Sequence, residues 1–175
     1  MKEVLAKPEL TAPGGTLEKL TWAAHYRADC VYFGTEFGSL RAYAGNLTLD
    51  EAANGLDFLH KNRKKGFVTL NIYPFTNEYK KLIDIAGKLK EIGADALIVA
   101  DMGLIFELKK AGINIPIHVS TQANTTSSQT VLAYRQLGVA RVNLARELSF
   151  EQIKQIRKDT KGSGVELEVF IHGAV

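Results

Sequence analysis

Seven short, mostly apolar runs alternate along the chain with six longer stretches in which apolar residues recur every three or four positions. The runs Lys7–Ala12, Cys30–Phe33, Phe67–Ile72, Ala96–Ala100, Ile115–Val119, Arg141–Ala145 and Glu166–Ile171 read as strands. Between them, Leu17, Leu20 and Ala24 share one helical face. So do Tyr79, Leu82, Ile83, Ala86 and Leu89, and then Leu104, Ile105 and Leu108. Val131, Tyr134 and Leu137 mark a fifth helix, and Phe150, Ile153 and Ile156 a sixth. The second helix opens with the capping box Thr48-Leu49-Asp50-Glu51 and is expected to run to about Lys65. A second box, Ser149-Phe150-Glu151-Gln152, opens the sixth, and Thr16 can cap the first. Gly66, Gly93, Gly112 and Gly138 each stand after a helical stretch and before a run, where a left-handed residue ends a helix at least cost. Arg27 holds the matching place after the first helix, so the backbone there is expected to be strained or to close differently.

Strand–helix units joined by short loops mean an α/β fold with a parallel sheet. Ala12-Pro13-Gly14-Gly15-Thr16 is not a GxGxxG turn, so the dinucleotide-binding sheet is not indicated. Polar residues end nearly every run, as in a (β/α) TIM-type barrel, whose loops after the strands carry the chemistry. A complete barrel has eight strands and about 250 residues. Residues 1–175 thus read as a single, incomplete barrel domain of about seven strands and six helices, a piece of a longer protein. Its unsealed first and seventh strands would offer edges for self-association unless something covers them.

The 46% hydrophobic and 23% charged composition is that of a soluble globular domain. No apolar run is long enough for a membrane span, Met1-Lys2-Glu3 does not open a secretory signal, and one cysteine, Cys30, permits a reducing cytoplasm. A net charge of +3 neither requires nor excludes nucleic acid. The run Lys61-Asn62-Arg63-Lys64-Lys65 ends a helix, where cations suit the macrodipole, and reads as a solvated face. HExxH, paired CxxC, GxSxG and P-loop motifs are absent, so no zinc protease, serine-hydrolase elbow or nucleotide cradle is encoded.

The chemistry-bearing residues collect at the expected strand ends. The richest stretch is Ser120-Thr121-Gln122-Ala123-Asn124, after the fifth run. Glu9, Tyr32, Arg41, Asn46, Asn71, Tyr73, Asp101, Arg146, Glu147 and His172 complete the set, expected to converge on the carboxyl mouth. Arg41 and Arg146 suit an anionic group, which guanidinium binds in bidentate fashion. Asn46, Asn71, Ser120, Gln122 and Asn124 would orient substrate, while Glu9 and His172 are the candidate proton-transfer groups. Each has a plainer reading: Glu9 and Arg146 as an ion pair, His172 and His118 as structural histidines, Asp101 as a helix cap, Cys30 as core.

Pro8-Glu9-Leu10-Thr11-Ala12-Pro13-Gly14-Gly15, Arg41-Ala42-Tyr43-Ala44-Gly45-Asn46, Ser120-Thr121-Gln122-Ala123-Asn124, Leu144-Ala145-Arg146-Glu147-Leu148-Ser149 and Glu168-Val169-Phe170-Ile171-His172-Gly173-Ala174 resemble, in order, the peptidase U32 family, often labelled collagenase-like proteases. The resemblance implies an N-terminal barrel and, nominally, a hydrolase acting on peptide. As the alternative to that reading, it implies an oxygen-independent hydroxylation enzyme for RNA or a ubiquinone precursor, whose full-length members hold a 4Fe-4S cluster on cysteines further along. Those cysteines are not in residues 1–175, and Cys30 does not match them, so no cofactor and no metal is expected on this chain. A barrel that only binds a small anionic molecule, peptide or RNA is the third expectation. A membrane partner is not expected.

Overall fold

Alternation inside the strands divides the molecule into two apolar layers. Val31, Phe33, Val68, Leu70, Leu97, Val99, Ile117, Val119, Val142 and Leu144 point outward and pack with Leu20, Leu56, Leu59, Leu89, Leu104 and Leu108 of the helices. The intervening positions Cys30, Phe67, Ala96 and Ile98 form a second cluster inside the curl of the sheet, with Tyr32 against it. Both faces of the strands are covered, which explains their near-continuous apolar runs. The structure is a computed structural model describing residues 7–39 and 46–173.

The elements run β1 (Thr11–Pro13), α1 (Leu17–His25), β2 (Cys30–Gly34), α2 (Leu49–Lys61), β3 (Lys65–Thr69), α3 (Tyr79–Glu91) and β4 (Ala96–Val99). Then come α4 (Met102–Lys110), β5 (Ile117–Val119), a 3-10 turn (Thr121–Ala123), α5 (Ser128–Gln136), β6 (Arg141–Asn143), α6 (Phe150–Asp159) and β7 (Glu166–Glu168). All seven strands are parallel and lie in chain order, β1 to β7. Strands in a sheet sit about 4.8 Å apart, so in a flat sheet β1 and β6 would be separated by about 24 Å. Instead Arg141 Nη2, on β6, donates to Glu9 Oε2, just before β1, at 2.5 Å. The sheet is therefore curled into an incomplete TIM-type barrel with β1 and β7 as its two edges.

Local chemistry explains most boundaries. Thr16 caps α1, and capping boxes open α2 at Thr48 and Glu51 and α6 at Ser149 and Gln152. Ser127 caps α5, and Asp101 caps α4 through Leu104 N at 2.6 Å. Gly93, Gly112 and Gly138 have φ of 92°, 71° and 71° after α3, α4 and α5, as the sequence suggests. Gly66 does not. Helix α2 ends at Lys61 rather than Lys65, and the left-handed residue that follows is Arg63, with φ 58°. Gly66 lies inside β3, where a Cβ would strike Leu56 and Leu59 of α2. Arg27 is left-handed too, with φ 69°, which accounts for the missing glycine after α1. Strand β1 begins four residues later than expected, so Glu9 precedes it instead of lying within it.

Candidate functional site

The chemistry inside the barrel is graded from one mouth to the other. Along β3 the inward series is Lys65, Phe67, Thr69, and along β6 it is Arg141, Asn143. Charge lies at the amino end, the apolar cluster around Phe67 plugs the middle, and hydroxyls and amides face the carboxyl end.

At the carboxyl mouth, Asn143 is buried and donates from Nδ2 to the Val119 carbonyl at 3.0 Å. Thr69 Oγ1 reaches Ser39 Oγ at 3.2 Å and the Phe33 carbonyl at 3.3 Å. A Cβ at Gly34 would come within 2.6 Å of Ser39 Oγ and 2.7 Å of Asn46 Oδ1, so the missing side chain at the end of β2 lets both polar groups approach the strand. Ser120 is buried and caps the 3-10 turn through Gln122 N at 3.4 Å. Asn124 closes that turn at φ 50°, a left-handed position asparagine tolerates. The following Thr125 bridges to Leu144, with Ala145 N donating to the Thr125 carbonyl at 3.0 Å. Tyr73 donates its hydroxyl to the Gln122 carbonyl, tying the loop after β3 to the loop after β5. Asp101 serves as cap to α4 and partner to Tyr79 Oη at 2.9 Å, the plainer of its two readings.

Asn46, Asn71, Ser120, Gln122, Asn124 and Arg146 thus stand at the ends of β2, β3, β5 and β6 on the carboxyl side. Gln122, Asn124 and Arg146 are exposed, whereas Ser120 is buried. Arg41 lies outside the described residues. His172 follows β7 and is exposed, so it is not a core histidine. Thr69 and Asn143 were missed as site residues, although both occupy inward positions of their strands, the parity that marks a lumen side chain.

Glu9 corrects the expectation most sharply. It sits at the amino mouth, and its partners are Lys65 Nζ at 2.6 Å and Arg141, not Arg146. The Lys65 hydrogen bond holds its carboxyl down to about 2, against a smaller desolvation effect, and Arg141 adds to the lowering. A carboxylate so stabilised is a poor proton acceptor, and it lies at the opposite end of the strands from the segment bearing His172. The two candidate proton-transfer groups do not form a pair. Arg141 also binds Glu166 through Nε at 2.8 Å and Glu168 through Nη1 at 3.0 Å, with Phe67 under its guanidinium at 5.3 Å. Beside it, His118 lies edge-on to Phe67 at 4.6 Å with its Nδ1 buried and without a hydrogen-bond partner. Desolvation, helped by the Arg141 charge, pushes the imidazole down to about 3.

An iron–sulfur cluster needs several thiolates. Cys30, the one cysteine of the sequence, is buried in the inner cluster, and desolvation, with the Glu9 charge adding, pushes its thiol up to about 12. These residues do not fit such a group. Among the described residues, no three His, Cys, Asp or Glu side chains gather to hold a metal ion, and no helix is long and apolar enough to cross a membrane.

The family model described as Peptidase family U32 matches residues 15–175. The chain belongs to that family. The U32 chain is 39% identical over 169 residues to "tRNA hydroxylation protein P" of Escherichia coli (strain K12), covering 97% of itself and 37% of that protein. It is 34% identical over 167 residues to the "23S rRNA 5-hydroxycytidine C2501 synthase" of the same organism, covering 95% of itself and 24% of that protein. It therefore spans little more than a third of the first of these relatives and about a quarter of the second. The solved structure of the U32 peptidase Mk0906 superposes with a TM-score of 0.78 at 16% identity, covering 97% of this chain and 70% of that one, a likeness of fold.

Proposed function

We propose that this U32 barrel is the substrate-binding part of an RNA hydroxylation protein, its carboxyl mouth receiving the nucleobase to be modified. The observation that carries the reading is the similarity, over nearly the whole chain, to proteins named for tRNA hydroxylation and for rRNA hydroxycytidine synthesis. The mouth suits the task chemically. Hydroxyls and amides such as Ser120, Thr69 and Asn143 can read the edges of an unstacked base, and the exposed rings of Tyr73 and Phe75 stand on the loop beside them. The oxidising chemistry would belong to other parts of a longer protein, since Cys30 alone cannot hold the cluster that the family resemblance implies. Peptide hydrolysis, the alternative carried by the family's name, finds little support in the separation of Glu9 from His172.

The test is a nucleoside census. Deleting the gene and comparing digested tRNA and rRNA by mass spectrometry should remove a nucleoside heavier than its parent by one oxygen. The intact gene should restore it, and an Asn143→Leu version should not. Unchanged nucleosides in every RNA class, together with cleavage of gelatin by the purified full-length product, would overturn the reading in favour of a peptidase.

A further inference from the structure

The amino-mouth rim carries a second surface that the proposed chemistry leaves unused. At the end of α1, Trp22 and Tyr26 are 52% and 78% exposed and stack with ring centroids 5.9 Å apart, inclined by 29°. His25 lies 6.0 Å from Trp22 and 6.4 Å from Phe58 of α2, tying the two helix ends together. The segments that finish or follow α1 and α2 carry the cations Arg27, Lys61, Arg63 and Lys64. Lys61 is paired with Asp57 at 2.5 Å, and Lys65 is engaged with Glu9, but Arg27, Arg63 and Lys64 have no ion-pair partner among the described residues.

The backbone supplies an independent observation. The same structural position is glycine after α3, α4 and α5, but arginine after α1 and α2, at φ 69° and 58°. A side chain in the left-handed region strains the chain, and glycine there would remove the strain. The two helices that keep a strained cation are α1, which carries the exposed ring stack, and α2, whose Phe58 meets His25 beside it.

We propose that this rim is a single-stranded RNA docking surface, on which bases stack against Trp22 and Tyr26 while Arg27, Arg63 and Lys64 take the phosphates. Stacked aromatics among cations are the sequence-tolerant chemistry of single-stranded nucleic-acid binding. The proposal rests on the RNA reading above and adds a contact remote from the reacting base.

Trp22 is the one tryptophan in the sequence, so its fluorescence reports on this surface alone. Titrating the full chain with unfractionated bacterial tRNA should quench that emission at the same midpoint as binding measured by filter retention. The double variant Arg27→Gly/Arg63→Gly should raise Kd at least tenfold and lower the log–log salt slope by about 1.5, with an unchanged or higher Tm. Arg27→Lys/Arg63→Lys, which keeps the charge, should retain most of the affinity. Binding that leaves Trp22 emission unmoved and the glycine variant unimpaired would overturn this surface while the RNA reading stands. Absence of tRNA binding at low salt would overturn it too, and the RNA reading would then be decided by the nucleoside census.

Discussion

Replacing Arg141 with methionine removes the cation that gathers three carboxylates at the amino mouth. Its side chain is 8% exposed, whereas those of Glu9, Glu168 and Glu166 are 35%, 21% and 65% exposed. Removing one partner of a buried ion pair costs about 3–5 kcal/mol, because the remaining charge is stranded. Here Glu166 is well solvated and Glu9 keeps Lys65 at 2.6 Å, so the stranded group is Glu168 and the lower end, about 3 kcal/mol, applies. At roughly 2–4 °C per kcal/mol for a chain of this length, Tm should fall by about 6–12 °C. The Glu168 carboxyl is already raised by desolvation, against the lowering effect of Arg141, and losing the cation raises it further. A carboxyl whose folded pKa is raised destabilises the fold above that pKa, and the penalty fades as the group protonates at lower pH. Scanning calorimetry at pH 7 and pH 5 should therefore find the deficit of Arg141→Met smaller at pH 5, and Arg141→Met/Glu168→Gln should recover more than half of it at pH 7. A deficit under about 2 °C, or a double variant no more stable than the single, would refute the assignment of this network as a closure of the barrel.

His118 should impose a pH dependence of its own. Its folded pKa, about 3, lies below the ordinary 6.5, so the unfolded chain binds more protons between those values and stability falls as pH drops through that window. Glu9, lowered from 4.5 to about 2, acts in the same direction but only below 4.5. His118→Leu should accordingly flatten chemical-denaturation stability between pH 6.5 and 4.5 and raise it by about 1 kcal/mol or more at pH 5, and an unchanged slope would count against the buried neutral imidazole. On the proposed reading, Arg146→Ala, at an exposed position after β6, should weaken RNA binding at least tenfold while moving Tm by under about 2 °C. Equal losses of binding and stability would make Arg146 a structural residue.

The strands and helices were legible because both signals, continuous apolar runs and helical periodicity with named caps, are local. Thr16, Thr48 and Ser149 sit where the capping chemistry places them. The errors have a common cause in contacts far apart in sequence. Glu9 falls inside the first apolar run, and only the pairing of Thr11 with Cys30 shows that it lies before the strand. Its true partner, Arg141, is 132 residues away and looks like the first residue of an ordinary strand. Gly66 looked like a helix stop but is demanded by Leu56 pressing on β3, a tertiary constraint with no local signature. The mouth was found in outline through Ser120, Gln122 and Asn124, while Thr69 and Asn143 were hidden because strand parity shows which residues share a face but, with both faces apolar, not which face looks into the lumen.

The strict chain order of the sheet has a consequence for biosynthesis. Each strand docks on one completed a single unit earlier, at sequence separations that run from 19 residues for Thr11 with Cys30 to 35 for Cys30 with Lys65. At about 5–20 residues per second, a ribosome would deliver each new strand within seconds of its template, so the sheet can grow vectorially as it emerges. Glu9 is the exception: it must wait for Arg141, and the amino mouth is thus locked only when the sixth strand has left the exit tunnel.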